Sequence, residues 1–373
     1  MCNKPETLNE ILNEYDLRGL ISCVPLTDGH INDTYLLGFD SNASNTFRVL
    51  QRINTDVFTD PDKLMQNYVA VTSYLKDKII REGGDPDRET LTVFPSKTGA
   101  SFIKDVNGDC WRLINYITDT MTCNSAEKPE ICRNAGFAFG RFLKMLNEYP
   151  SETLFETIPD FHNTPKRLID FEASVTADRS GRAKNVINEI RFVRERNCDC
   201  DRLTQLLRTG ELPIRVTHND TKLNNVLFDK TSGKGICVID LDTVMPGSSL
   251  YDFGDSLRFA GNTAAEDEKD LSKVSFSVDT YRYFTEGYLS AAAESLTANE
   301  IANLPFSVKL MTLECGMRFL KDYIDGDVYF KVKYPEHNLV RCRSQFKLVE
   351  DIERKLPLLN KITDEIYHEM ISK

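Results

Sequence analysis

The sequence predicts an α+β fold of two unlike lobes, and three features of the chain carry that prediction. A β-rich stretch occupies the first third, a mostly helical remainder follows, and the pattern changes near residues 116–122. The helical part is interrupted by one short β segment, 213–242, which also holds the most informative motif. The expected division is a small β-rich N-lobe over 1–117 and a larger, mostly helical C-lobe over 118–373. A cleft between unlike lobes is a common place for a ligand.

Each element has its own signal. Thr7 to Glu10 spells a capping box and opens a short first helix. Residues 19–37 read as two strands around the turn LTDGHIND, and TFRVLQRI (46–53) as a third. Asp60-Pro61 sets an N-cap before proline at the first helical position. Leu64, Tyr68, Val71, Leu75 and Ile79 then recur at helical spacing. GGDPDRE (83–89) breaks that helix, and TLTVF (90–94) and CWRLINYI (110–117) read as two further strands. Helices are expected over 130–146, 182–197, 277–293 and 305–323, with a second capping box from Thr297 to Glu300.

Composition narrows the class. A chain of 373 residues can bury a sizeable core in two or three compact units. The net charge of −11 disfavours non-specific binding to nucleic acid or anionic membranes. Ten cysteines form no C-x-x-C pair, which reads as reduced thiols in a cytoplasmic protein. The start MCNKPETLNE has no apolar signal core, and no stretch approaches a membrane span. There is no G-x-x-x-x-G-K-[ST] and no G-x-G-x-x-G opening a doubly wound unit.

The stretch IRVTHNDTKLNNVLFDKTSGKGICVIDLD has the skeleton H-x-D-x-x-x-x-N, a hairpin, and a strand ending in I-D. Its polar residues are His218, Asp220, Asn225 and Asp240. Phosphoryl transfer needs a carboxylate beside the attacking hydroxyl and oxygen ligands that hold Mg²⁺ on the phosphates. A tight loop supplies the first carboxylate, and residues 225–228 and 235–239 return an amide oxygen and a second carboxylate to one end of the hairpin. His218 is expected to brace the loop. Asp242, two residues past Asp240, shares its face on a strand, within reach of metal or substrate or simply at the surface.

This segment resembles the catalytic core of the aminoglycoside phosphotransferase and choline kinase superfamily, whose fold is bilobal and protein-kinase-like. The resemblance implies an ATP- and Mg²⁺-dependent kinase. In it Asp220 is the catalytic base or orienter, Asn225 and Asp240 are metal ligands, and Lys222 is a phosphate contact. Asp252-Phe253-Gly254 spells the kinase metal motif DFG but lies 32 residues past Asp220. The role is therefore assigned to Asp240, and Asp252 is expected to cap the next helix or brace the loop. The turn carrying Gly29, Asn32 and Thr34 sits where kinases cover the phosphates, with one glycine instead of three. The usual strand lysine is absent from RVLQRIN: strict register offers Gln51, and Arg52 beside it is the favoured phosphate contact. Gln66 falls where protein kinases use a glutamate, and Tyr116 and Ile117 are candidates to flank adenine.

GHINDTY, LQRINTDVF, THNDTKLNNVLFD, VIDLDTVMPG, YDFGDSLR and GMRFLKDYIDGDVYF together look like bacterial N-acetylhexosamine 1-kinases. That resemblance implies a sugar acceptor phosphorylated at its anomeric hydroxyl, with Asp220, Asp242, Arg318 and Tyr329 on the sugar side. Residues 308–347 carry eight Lys or Arg and five acids, which suits a neutral sugar and a phosphate better than a polycationic aminoglycoside. The same chemistry on an aminoglycoside, choline or another amino alcohol is the alternative. A nucleotide-binding pseudokinase is disfavoured by the intact Asp220, Asn225 and Asp240 set.

Overall fold

The computed structural model describes residues 7–15, 17–26, 31–40, 47–125 and 128–372. The first helix, α1 (Leu8–Glu14), buries Leu8, Ile11 and Leu12. Its capping box does not form: the Thr7 hydroxyl donates to Asp105 Oδ2 at 3.1 Å instead. Asp105 also accepts from Trp111 Nε1 at 2.9 Å, so a tertiary acceptor has displaced the local one. β1 (Leu20–Leu26), β2 (Asp33–Phe39) and β3 (Phe47–Ile53) follow as an antiparallel meander.

The Asp60-Pro61 signal opens α2 (Pro61–Arg81), where Asp60 accepts from the Lys63 amide at 3.1 Å. Every residue of the predicted apolar stripe, Leu64 to Ile79, is buried. GGDPDRE contains a single helical turn, α3 (Pro86–Glu89). β4 (Val93–Phe94), β5 (Ile103–Lys104) and β6 (Cys110–Asn115) complete a six-stranded sheet of order β1-β2-β3-β6-β4, with β5 also on β6. Strand alternation splits this sheet cleanly. Val49, Ile53, Cys110 and Ile114 face α2 and the main core, while Leu50, Trp111 and Leu113 face α1.

The chain leaves this sheet after Asn115. β7 (Thr120–Met121) already pairs with β9, further along the chain. α4 (Pro129–Met145) then enters the helical part. The predicted helix 182–197 is divided instead: α5 (Thr164–Ala177) precedes it, and α6 (Ile187–Arg194), α7 (Asn197–Cys200) and α8 (Arg202–Arg208) replace one rod with short turns. The interrupting β segment forms β8 (Arg215–Thr217), β9 (Val226–Asp229), β10 (Gly235–Val238) and β11 (Met245–Gly247). β9 and β10 are the predicted hairpin, and β8 pairs with β11.

α9 (Ser249–Ala260), α10 (Val278–Ala292), α11 (Ala298–Asp325) and α12 (His337–Ile371) finish the fold. α11 begins earlier than the predicted 305, because the Thr297–Glu300 capping box does form and the helix runs on through Pro305. Among the described residues no helix is long and apolar enough to cross a membrane.

α4 and α10 cross at backbone contact distance. A Cβ built on Gly287 would lie 1.9 Å from the Arg133 carbonyl oxygen, and one on Gly136 would lie 2.1 Å from that of Phe284. In an open helix Gly→Ala gains up to about 1 kcal/mol of propensity. Here overpacking against rigid backbone, roughly 1–3 kcal/mol, outweighs it. Gly287→Ala is therefore expected to lower the urea midpoint; an unchanged or raised midpoint would show that the crossing relaxes freely.

Candidate active site

The loop between β8 and β9 is laced to the segment between β10 and β11. His218 is fully buried, edge-on to Phe139 and Phe142. Its Nε2 lies 2.8 Å from the Ile239 carbonyl, and its Nδ1 accepts from the Asp220 amide at 3.2 Å. Both bonds together set the tautomer with hydrogen on Nε2. The Thr243 hydroxyl donates to the His218 carbonyl at 2.6 Å, and Asn219 Nδ2 returns a bond to the Thr243 carbonyl at 2.8 Å. Asn219 and Asp240 both adopt left-handed φ, 66° and 62°, a conformation most residues avoid.

Asp252 braces this loop from α9. Its carboxylate accepts from the amides of His218 and Asn219 at 2.8 and 2.7 Å. Its own carbonyl accepts from Thr221 Oγ1 at 2.6 Å. Burial raises the Asp252 pKa above the ordinary carboxylate value despite these donors and nearby His218. Of the two roles expected for Asp252, bracing is the one this geometry presents; Ser248 caps α9.

Asp220 is held from two sides. Lys222 Nζ lies 2.8 Å from Oδ1, and Asn225 Nδ2 donates to Oδ2 at 3.1 Å and to the Asp220 carbonyl at 2.7 Å. Burial works against the Lys222 charge, but Asp220 and Asp255 outweigh it and raise its pKa. Asn225 spends its amide nitrogen on Asp220, and none of these bonds uses its amide oxygen. Asp240 is an exposed residue, while neighbouring protein atoms desolvate its carboxyl. That desolvation, with Asp242 and Asp220 close by, pushes its pKa up to about 6. An amide oxygen beside carboxylates that repel one another is a donor set suited to a hard divalent cation.

Asp242 is neither at the surface nor open to a ligand. It is buried, with Oδ1 accepting from Arg112 Nη1 at 2.5 Å and Oδ2 accepting from Asn32 Nδ2 at 2.6 Å. Arg112 also donates through Nε and Nη2 to Gln51 Oε1 at 2.9 and 2.7 Å, and stacks over the Tyr68 ring at 4.4 Å. Gln51 Nε2 in turn donates to Thr34 Oγ1 at 3.2 Å. Asn32 Oδ1 accepts the Asn54 amide at 3.0 Å.

Arg52 needs a correction. It lies one residue past Gln51, so the pleat turns it to the opposite face, where it pairs with Asp33 and Asp109. Gln66 is exposed on α2, and Met65 and Tyr68 face the arginine instead. Gly29 lies outside the described residues. Tyr116 is half-buried beside Phe47, and Ile117 is buried with the main core.

On the far side, Arg318 and Tyr329 meet at a cavity of about 670 Å³ between α5 and α11. The Arg318 guanidinium lies 5.9 Å from the Tyr329 ring, 5.5 Å from Phe330 and 5.9 Å from Phe161. Asp322 fixes the presenting loop: its oxygens accept the amides of Val328, Tyr329 and Phe330 at 2.8–2.9 Å. The local charge count carries less than expected. Lys309 pairs with Asp199 and Glu353, Arg343 with Glu189, and Arg341 with Glu266.

Residues 22–273 match the sequence profile of the phosphotransferase enzyme family. The chain belongs to that family. Solved structures of similar fold include an aminoglycoside phosphotransferase from Alicyclobacillus acidocaldarius, with TM-score 0.61, 10% identity, and coverage of 97% of this chain and 98% of that one. A microcompartment-associated aminopropanol kinase matches at TM-score 0.56 and 16% identity, over 94% and 97%. A choline kinase from Cryptosporidium parvum Iowa II matches at TM-score 0.56 and 14% identity, over 95% of each chain. At such identities the likeness is one of fold: a kinase-like antiparallel sheet followed by a mostly helical part.

The residue of this phosphotransferase that sequence reasoning missed is Arg112. It sits inside an apolar strand, and only the pairing of Gln51 with Arg112 across β3 and β6 sets it beside the catalytic segment. The side chains of Arg112 and Asp242 are 1% and 2% exposed, so solvent screens their pairing little. Removing one partner of such a pair costs about 3–5 kcal/mol, chiefly through the charge left behind. Asp242→Asn is expected to lose about that much in urea unfolding, and Arg112→Met with Asp242→Leu to recover much of it. A near-silent Asp242→Asn would mean that the pair contributes little.

Proposed function

We propose that this phosphotransferase moves the γ-phosphoryl group of ATP to the anomeric C1 hydroxyl of an N-acetylhexosamine. The observation that carries the phosphoryl chemistry is the setting of Asp220. One oxygen is held by Lys222 and the other by Asn225, at the head of a hairpin whose return strand leads to Asp240. The acceptor class rests on the ordered motifs from GHINDTY to GMRFLKDYIDGDVYF and on the Arg318–Tyr329 cavity.

In this reading residues 1–117 carry the nucleotide, and 118–373 supply the catalytic loop and sugar site. Adenine lies against Tyr116 and Ile117, with phosphates near Asn32, Thr34 and Lys222. Asn225 and Asp240 would hold Mg²⁺, which when bound neutralises phosphate charge. Asp220 accepts the proton of the attacking hydroxyl, and Lys222 keeps that carboxylate aimed. Arg318 offers a planar fork to sugar oxygens, and Tyr329 an apolar face. The anomeric hydroxyl is the most acidic on the ring, so an ordinary carboxylate base suffices.

A panel of N-acetylhexosamines, plain hexoses, choline and kanamycin in an ATP-coupled assay tests the acceptor. N-acetylated sugars are expected to lead, because a site built for the acetamido group leaves polar partners unpaired without it, at about 1–3 kcal/mol. Phosphorus NMR of the product should show coupling to the anomeric proton. A 6-phosphate, or turnover of kanamycin or choline alone, sinks the sugar 1-kinase reading. Asp220→Asn is expected to lower kcat by roughly 10²–10⁴-fold with ATP binding nearly intact. Near wild-type turnover in that variant removes Asp220 from the mechanism.

A further inference from the structure

His162 lies in the segment before α5, buried to 8% exposure, and none of the roles above uses it. Its two ring nitrogens reach different parts of the site. Nδ1 is 2.9 Å from Glu314 Oε1 on α11, and Nε2 is 3.4 Å from the carbonyl oxygen of Asn219. Asn219 immediately precedes Asp220, and Glu314 lies one helical turn before Arg318. Phe161, the neighbour of His162, packs under the Arg318 guanidinium. Two adjacent residues thus touch the base loop and the acceptor helix.

We propose that His162 is a positioning residue that holds the Asp220 loop in register with α11, the helix carrying Arg318. The proposal rests on the reading of Asp220 as the base and Arg318 as an acceptor contact.

The chemistry of the partners sharpens it. Burial opposes the Glu314 charge, but His162, Thr164 and Arg318 outweigh it and hold the carboxyl below its ordinary range. Thr164 Oγ1 already donates to the second Glu314 oxygen at 2.6 Å. An ionised carboxylate and a peptide carbonyl only accept hydrogen bonds, so the ring makes both contacts only with hydrogen on both nitrogens. Beyond Glu314, the charged groups facing the ring are Asp252 and Asp255 of α9, with Arg318 and Arg167 beyond Glu314. The Tyr251 ring closes the remaining side at 5.2 Å. Without the ring the loop is free to slip against α11, so turnover falls through misplacement of Asp220, without loss of nucleotide.

The test compares wild type with His162→Gln and His162→Phe, each checked for folding by its melting transition. A misplaced base costs up to about 10²-fold. The expected result is a fall of roughly 10–100-fold in kcat for His162→Phe, a smaller one for His162→Gln, and little change in KM for ATP. Wild-type kcat in His162→Phe, or an equal fall in His162→Gln, whose amide can still donate to the loop, overturns the proposal. If wild type uses a different acceptor, the sugar reading fails and the same comparison is made with that acceptor. If the variants do not fold, or wild type turns over no acceptor, nitrogen-15 histidine NMR of the full chain decides. A slowly exchanging His162 Nε2–H, held by the Asn219 carbonyl, supports the proposal, and its absence overturns it.

Discussion

The buried pair of Arg112 and Asp242 is the constraint on which the rest of the site depends. Arg112 belongs to the first sheet and Asp242 to the segment that follows Asp240, so one ion pair ties the two together. Taking both charges out of water is costly, and their attraction offsets that cost only with good geometry and further bonds. Gln51, Tyr68 and Asn32 supply those bonds. The geometry of this network therefore fixes where the sheet stands over the hairpin. Asn32 and Thr34 are tied into it directly or through Gln51, so the strand pair expected over the phosphates is set by the same pair.

Around that fixed point the loop is assembled by redundancy. Asp252, His218, Thr243 and Asn219 each bond to a different part of the chain around Asp220 and Asp240. Such redundancy sustains two non-glycine residues in left-handed backbone. The aspartate of the DFG tripeptide takes part in this bracing: it is buried and accepts two amides of the loop.

What was legible in the sequence was local. His218, Asp220, Asn225 and Asp240 lie within one short stretch, and the hairpin that gathers them is written in consecutive residues. The α2 stripe was equally plain, because helical periodicity needs no partner. Arg112 was opaque for the opposite reason: which face a strand residue takes follows from register with strands far away in sequence. Arg52 was misplaced by one residue, and in a pleated strand one residue is a change of side. Thr7 failed as a cap because Asp105, remote in sequence, competes for its hydroxyl. His162 lies in no quoted motif, and the roles of His162 and Asp322 rest on what the fold sets beside them.

The loop that presents Tyr329 is pinned through backbone amides to one carboxylate, Asp322. Amides are common to all residues but proline, so this anchorage is indifferent to the side chains at 328–330. Those positions form a replaceable insert on a fixed frame. Under the acceptor role proposed for Tyr329, exchanging that insert would change which molecules are accepted and leave the scaffold around Asp220 intact.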